Sequence, residues 1–152
     1  MDSLTRRVVA WTAAAALATG PLGADAADLR GFRGVPWGAG VAELGASQPA
    51  KPEEGLRCHR RERENLLYGD APLTEVRFCF REDALVMVVL DAQVGPQALR
   101  AEFEAMYGPP RVSAASYALW GDASSRARVE IFAAAPGART SSMRMVANEA
   151  AR

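Results

Sequence analysis

Catalysis and metal binding need particular groups within reach of one another, and in this chain of 152 residues the stock is small: Cys58, Cys79 and one histidine, His59. With a single histidine, neither a two-histidine zinc site nor an H-E-x-x-H helix can be built from one copy. A serine triad would need His59 as its base, but no G-x-S-x-G elbow is present to hold a nucleophile. Cys58 and Cys79 are too far apart for a C-x-x-C redox pair, and their even number predicts a disulfide in an oxidising compartment. Closing that loop contributes on the order of 3 kcal/mol by the chain-entropy estimate. The alternative is two separate buried thiols, and only with a free Cys58 could His59 beside it share a metal. Gly38-Ala39-Gly40 begins like a dinucleotide fingerprint, but Glu43 stands where the third glycine belongs. No catalytic, cofactor-binding or metal-binding residue is therefore assigned, and no cofactor is expected.

Charge offers more. The run Arg57-Cys58-His59-Arg60-Arg61-Glu62-Arg63-Glu64 is the most charged stretch. Arg57, His59, Arg60, Arg61 and Arg63 could dock an anionic glycan, a lipid headgroup or an acidic protein, because guanidinium forks suit such acceptors. The interleaved glutamates favour instead a self-compensated, solvated hairpin. Glu53, Glu54, Glu62, Glu64, Glu75 and Glu82 supply the carboxylates a small hydrolase would need. The formal net charge is zero, so no global field draws the chain to nucleic acid.

The first residues predict an address. Arg6-Arg7, an apolar run from Val8 to Ala18, the break Gly20-Pro21 and the small residues of Ala24-Asp25-Ala26 follow the order of a signal peptide. The run is too short to span a bilayer core, which takes about 20 apolar residues. Residues 1–26 are read as a signal peptide cleaved after Ala26, and 27–152 as one domain, periplasmic or secreted, not inserted in a membrane. Thr5-Arg6-Arg7-Val8-Val9 also resembles a twin-arginine signal, without the usual Phe and Leu after the pair.

The elements that must position these groups are legible in part. Gly95-Pro96 and Gly108-Pro109-Pro110 bracket a helix over 96–107, with Leu99, Phe103, Met106 and Tyr107 on one stripe. A hairpin is predicted from Leu73 to Arg81, turning at Glu82-Asp83 into Ala84 to Asp91, with Phe80 facing Leu85, Phe78 facing Met87 and Val76 facing Val89. The second strand is apolar on both faces and so central. Further strands are expected at 116–120, 126–134, 142–147, 56–60 and 66–69. A loop is expected at 48–55 around Pro49 and Pro52, and a short helix at 41–46.

Phe32-Arg33-Gly34-Val35-Pro36-Trp37-Gly38 and Met106-Tyr107-Gly108-Pro109-Pro110 resemble motifs of uncharacterised exported proteins of Gram-negative bacteria, which open with F-x-G-x-x-W-G and carry a later Y-G-x-P. The layout also looks like the small modules of the outer-membrane assembly lipoprotein and β-lactamase-inhibitor class, a likeness of fold that carries no function. The chain departs from the assembly lipoproteins in lacking a lipidated cysteine. Phe32, Gly34, Trp37, Gly38, Tyr107, Gly108 and Pro109 read as structural, since a tryptophan beside a glycine at a helix entrance is an anchor. The fold expected is α+β: an antiparallel sheet with one long and one short helix on one face, its order hinting at two helix-then-strands halves.

Three functions fit these residues. One is a non-catalytic periplasmic binding or assembly module whose partner is a protein or envelope component. The others are a small hydrolase or lyase acting on an envelope polymer through carboxylates, and a carrier of a small apolar ligand held between sheet and helices.

Overall fold

The computed structural model describes residues 26–149. The expected signal peptide lies outside the described residues except for Ala26, which opens a 3-10 turn, Ala26–Asp28, and is buried. The strands that follow are β1 (Gly31–Phe32), β2 (Val35–Pro36), β3 (Ser47–Glu53), β4 (Leu56–Arg61), β5 (Leu67–Tyr68), β6 (Ala71–Arg81) and β7 (Ala84–Ala92). After them come the helix α1 (Pro96–Tyr107) and the strands β8 (Val112–Ala114), β9 (Tyr117–Trp120), β10 (Ala127–Ala133) and β11 (Ser141–Ala147). One antiparallel sheet runs in the order β3-β4-β6-β7-β11-β10-β9-β8, with β5 added to β6, and β1 and β2 form a separate hairpin.

This corrects the expected α+β layout. The described residues are mostly antiparallel strand, with a single α-helix of 12 residues. The second helix expected at 41–46 is one 3-10 turn, Val41–Leu44, ended by Gly45 at φ 69°. Without an α-helix in the first half, the division into two helix-then-strands halves falls with it. Of the segment 48–55, expected as a loop, residues 48–53 belong to strand β3, and Glu54-Gly55 turn into β4. Prolines break a central strand but are tolerated at an edge, where the missing N–H faces solvent. The Glu62 N–H donates to the Ala46 carbonyl, so alternation turns the backbones of Gln48 and Ala50 toward β4 and that of Pro49 outward.

One face of the sheet carries the main core. Phe78, Val88, Leu90, Val129, Ile131, Met143 and Met145 lie under α1, which contributes Leu99 and Phe103. The β1–β2 hairpin covers the remainder through Phe32 and Val35. The two coverings meet in an aromatic chain: Phe78 to Phe32 at 6.1 Å, Phe32 to Tyr68 at 6.4 Å, Tyr68 to Phe103 at 6.3 Å and Phe103 to Trp120 at 4.7 Å. Met106, expected on the buried stripe of α1, is exposed instead.

The opposite face has a second, smaller core of Leu56, Cys58, Cys79, Val86, Met87 and Val89. A bulge between Cys79 and Phe80 shifts the predicted register: Phe80 faces Leu85 as expected, but Phe78 faces Val88 and Val76 faces Leu90. Cys79 thus stands opposite Met87 on one side and Cys58 on the other, and the two cysteines are joined by a disulfide. No helix among the described residues is long and apolar enough to cross a membrane.

Candidate functional site

Strands β4 and β6 pair at only three positions, Arg57 with Phe80, Cys58 with Cys79 and His59 with Phe78. Both strands continue past the last of these, yet Arg60 with Arg77 and Arg61 with Val76, the next two pairs in register, do not join. Between them lies an open cleft of about 470 Å³, lined by Gln48, Arg60, Arg61, Glu62, Glu64, Leu66, Thr74, Glu75 and Val76. A second open cleft of about 450 Å³ shares Arg61 and Glu62 with it and is lined further by Leu44, Ala46 and Arg63.

The far wall is held by Arg33, at the x position of the F-x-G motif. Its guanidinium donates to Glu64 Oε1 at 2.6 Å and to the carbonyls of Asn65 and Leu67 at 2.5 Å each. Arg33 can reach them because it sits in a left-handed turn with Gly34, at φ 47° and 81°. Arg61 donates to the Arg33 carbonyl, lies over the Phe78 ring and stands 3.7 Å from Glu64. Glu64 Oε2 and Arg61 Nε have no hydrogen-bond partner among the described residues.

Alternation on β4 divides the predicted binding patch. His59 and Arg61 face the main core, His59 edge-on to Phe80, while Arg60 lies on the opposite face, 4.0 Å from Glu75. Arg57 is exposed one pair beyond the disulfide. Arg60 and Arg61 reach the first cleft, and Arg61 and Arg63 the second. The five residues do not form one basic surface, because a strand sends neighbours to opposite sides.

Of the candidate carboxylates, Glu53, Glu54, Glu64 and Glu75 are paired with arginines, while Glu62 and Glu82 are exposed. Arg77 is 4% exposed on the disulfide face. It contacts Glu53 at 3.0 Å, Asp91 at 2.9 Å and Glu75 at 3.4 Å, and donates to the Lys51 carbonyl. Arg144, on β11, binds Glu53 and Glu54 and lies over the Phe132 ring. Register puts Arg77, Val89 and Arg144 in one row across β6, β7 and β11. The tip of the β3–β4 hairpin therefore folds across this row, its two glutamates held by the two arginines, and roofs the second core. Ser142 donates to Asp91 at 2.5 Å. Among the described residues, no group of three or more His, Cys, Asp or Glu could hold a metal ion.

The sequence motifs have structural employment. The Trp37 indole N–H donates to the Leu29 carbonyl, and the Gly38 N–H, at φ 87°, donates to the Leu85 carbonyl. Tyr107 stacks on Phe103 at 4.5 Å, and Gly108 ends α1 at φ 82° while its carbonyl accepts the Trp120 indole N–H; Pro109, exposed, follows that stop. Burial pushes the hydroxyls of Tyr68 and Tyr107 above the ordinary tyrosine range, Tyr68 far above it. The Ser124 hydroxyl holds the Asp122 carboxyl below its ordinary range.

Arg33, Arg77 and Asp83 were not legible as functional positions. Asp83 accepts the Val41 N–H at the start of the 3-10 turn, and a Cβ on Gly40 would come within 2.9 Å of its carboxylate. The G-x-G spacing thus serves a turn packed on a hairpin. No family model, curated protein or solved structure matches the chain.

Proposed function

We propose that the chain is a non-catalytic binding or assembly module of the cell envelope, exported by a signal peptide cleaved after Ala26, which holds a protein or envelope component in the cleft between β4 and β6. The carrying observation is the interruption of the ladder at His59 and Phe78, which leaves a cleft rimmed by both signs of charge within an otherwise paired sheet. Clefts of this volume lie in the range that takes small ligands or single peptide segments.

The hydrolase reading draws less support. Glycosidase chemistry wants two carboxylates facing each other across room for a substrate. Glu62, Glu64 and Glu75 line the cleft, but Glu64 is held by Arg33 and Glu75 shares the Arg77 guanidinium with Glu53 and Asp91. The carrier reading lacks an obvious chamber, since the apolar side chains under α1 are closed against one another.

The test is capture from Gram-negative envelope extracts with tagged mature protein and two variants. Gln48→Trp with Thr74→Trp fills the cleft from its exposed rim, and Arg128→Trp adds the same bulk elsewhere. A partner retained by the parent and by Arg128→Trp, and lost with the filled cleft, is the expected result. A partner indifferent to the filling, or no reproducible partner, would sink the reading.

A further inference from the structure

The floor of the cleft is Val76, only 1% exposed, so an occupant is met by side chains and not by strand backbone. Those side chains have hydrogen-bonding capacity to spare. Arg60 Nη1 and Glu75 Oε1 stand 4.0 Å apart, beyond a direct hydrogen bond. The other Glu75 oxygen lies 3.4 Å from Arg77 Nε, which has no hydrogen-bond partner among the described residues. Glu75 therefore faces two arginines and hydrogen-bonds to neither at these atoms. Arg60, with its side chain 54% exposed, reaches Gln48 Oε1 only at 3.5 Å. The Thr74 hydroxyl donates to the Asp91 carbonyl and keeps its lone pairs for a further donor.

Two features define what such a cleft accepts. The first is charge balance: Arg33, Arg60 and Arg61 stand against Glu62, Glu64 and Glu75, with Arg33 holding Glu64 from behind. An anion drawn to Arg60 would lie beside Glu75, and a cation drawn to Glu75 would lie beside Arg60. The second is the 4.0 Å span between a donor and an acceptor, which one oxygen bridges at about 2.8 Å to each side if it both accepts and donates. A hydroxyl does so from a single atom, whereas an ammonium only donates and a carboxylate only accepts. Leu66, exposed on the same wall, offers an aliphatic surface to C–H groups beside that hydroxyl. The second cleft shares Arg61 and Glu62 with the first, so a ligand of repeating units can continue from one into the other.

We infer that the ligand is a neutral oligosaccharide, with one ring hydroxyl bridging Arg60 and Glu75, the C–H face of that ring against Leu66, and a further unit in the second cleft. This rests on the binding reading above and names the class of ligand for the same site.

The probes are neutral saccharides of one to four units, built from glucose, mannose, galactose or N-acetylglucosamine and titrated calorimetrically into the mature, oxidised protein. We expect one series to bind, about tenfold more tightly at three units than at one. Arg60→Met should weaken that binding about tenfold with an unchanged melting curve, the filled cleft should abolish it, and Arg128→Met should leave it intact. Raising sodium chloride from about 0.05 M to about 0.5 M should change the affinity less than about twofold, because a neutral ligand offers no charge to screen. No binding by any series, equal affinity at one unit and three, binding that survives both cleft variants, or a tenfold loss in salt would overturn the inference. Capture from envelope extracts keeps the two readings apart. If the partner lost with the filled cleft is destroyed by protease and survives glycosidase, binding at the cleft stands and the saccharide falls.

Discussion

Replacing Arg77 by methionine should cost the fold more than any other single change on the disulfide face. The guanidinium is buried and touches Glu53, Glu75 and Asp91 together. Methionine keeps much of the stem's volume, so cavity formation contributes little and the loss is electrostatic. Removing one partner of a buried ionic cluster costs about 3–5 kcal/mol, because the groups left behind are uncompensated. Two features favour the low end. Glu75 and Asp91 have side chains 29% and 31% exposed and can hydrate, and Arg144 continues to hold Glu53. For a chain of this size, a loss of about 3 kcal/mol lowers Tm by roughly 10 °C. Urea denaturation of the oxidised protein, followed by tryptophan fluorescence, measures it. Adding Glu75→Gln and Asp91→Asn should restore at least about 1 kcal/mol, since adjacent sites in one network are not additive. A loss below about 1 kcal/mol, or full additivity, would refute the view that Arg77 fastens the β3–β4 tip over the second core.

Alkaline titration tests the buried tyrosine. The raised Tyr68 hydroxyl means that the unfolded chain ionises above the ordinary value of 10.0 while the folded one does not. The stabilisation is thus intact below pH 10.0 and declines as pH rises beyond it, by up to about 1.4 kcal/mol per pH unit; Tyr68→Phe should flatten that slope in urea melts between pH 9 and 11. Cys58→Ala with Cys79→Ala should cost about 3 kcal/mol by the same assay, and intact mass of the parent should show both thiols oxidised. Gly31→Ala should impair folding outright, because a Cβ there would meet the Val35 carbonyl oxygen at 2.2 Å in the β1–β2 hairpin; a soluble variant with an unchanged melting curve would contradict the packing. Trp37→Phe should cost about 1 kcal/mol, the contribution of one hydrogen bond, to the Leu29 carbonyl.

Local punctuation and strict alternation were the readable parts of the sequence. Gly95-Pro96 and Gly108 bound α1 at the residues expected, and Val76, Phe78 and Phe80 are buried on the core side of β6. Beyond the expected pair Phe80 and Leu85, the register of the central hairpin differs by one residue, because a bulge leaves no mark in a pattern that is apolar throughout, as Leu85 to Leu90 is. The strand β3 was hidden by its own protection, since Pro49 and Pro52 look like loop residues until the strand is known to be an edge. Phe132, out of step with Val129 and Ile131, belongs on the outer face under the Arg144 guanidinium, a long-range contact that periodicity does not carry. The charged run from Arg57 to Glu64 does not present a single surface, since period-2 geometry splits it.

The cleft is a consequence of how β4 is fastened. Toward its start the strand is tied to β6 through the disulfide, and the hairpin tip is drawn over the second core by Arg77 and Arg144. At its end the chain must leave the sheet, because Arg33 takes hold of Glu64, Asn65 and Leu67 and draws the bend toward the β1–β2 hairpin. A strand pulled toward opposite faces at its two ends cannot keep its ladder throughout, and the pairing stops one residue pair beyond the cystine, at His59 and Phe78. The motif around Phe32 and Gly34 therefore does more than plug the core: through Arg33 it sets the far wall of the cleft. Shortening that side chain, as in Arg33→Ala, should release the bend and change exchange rates at Glu64 to Leu67 before it affects α1. Uniform acceleration across both regions would mean that the bend is held by the fold as a whole and that the wall is not built by Arg33.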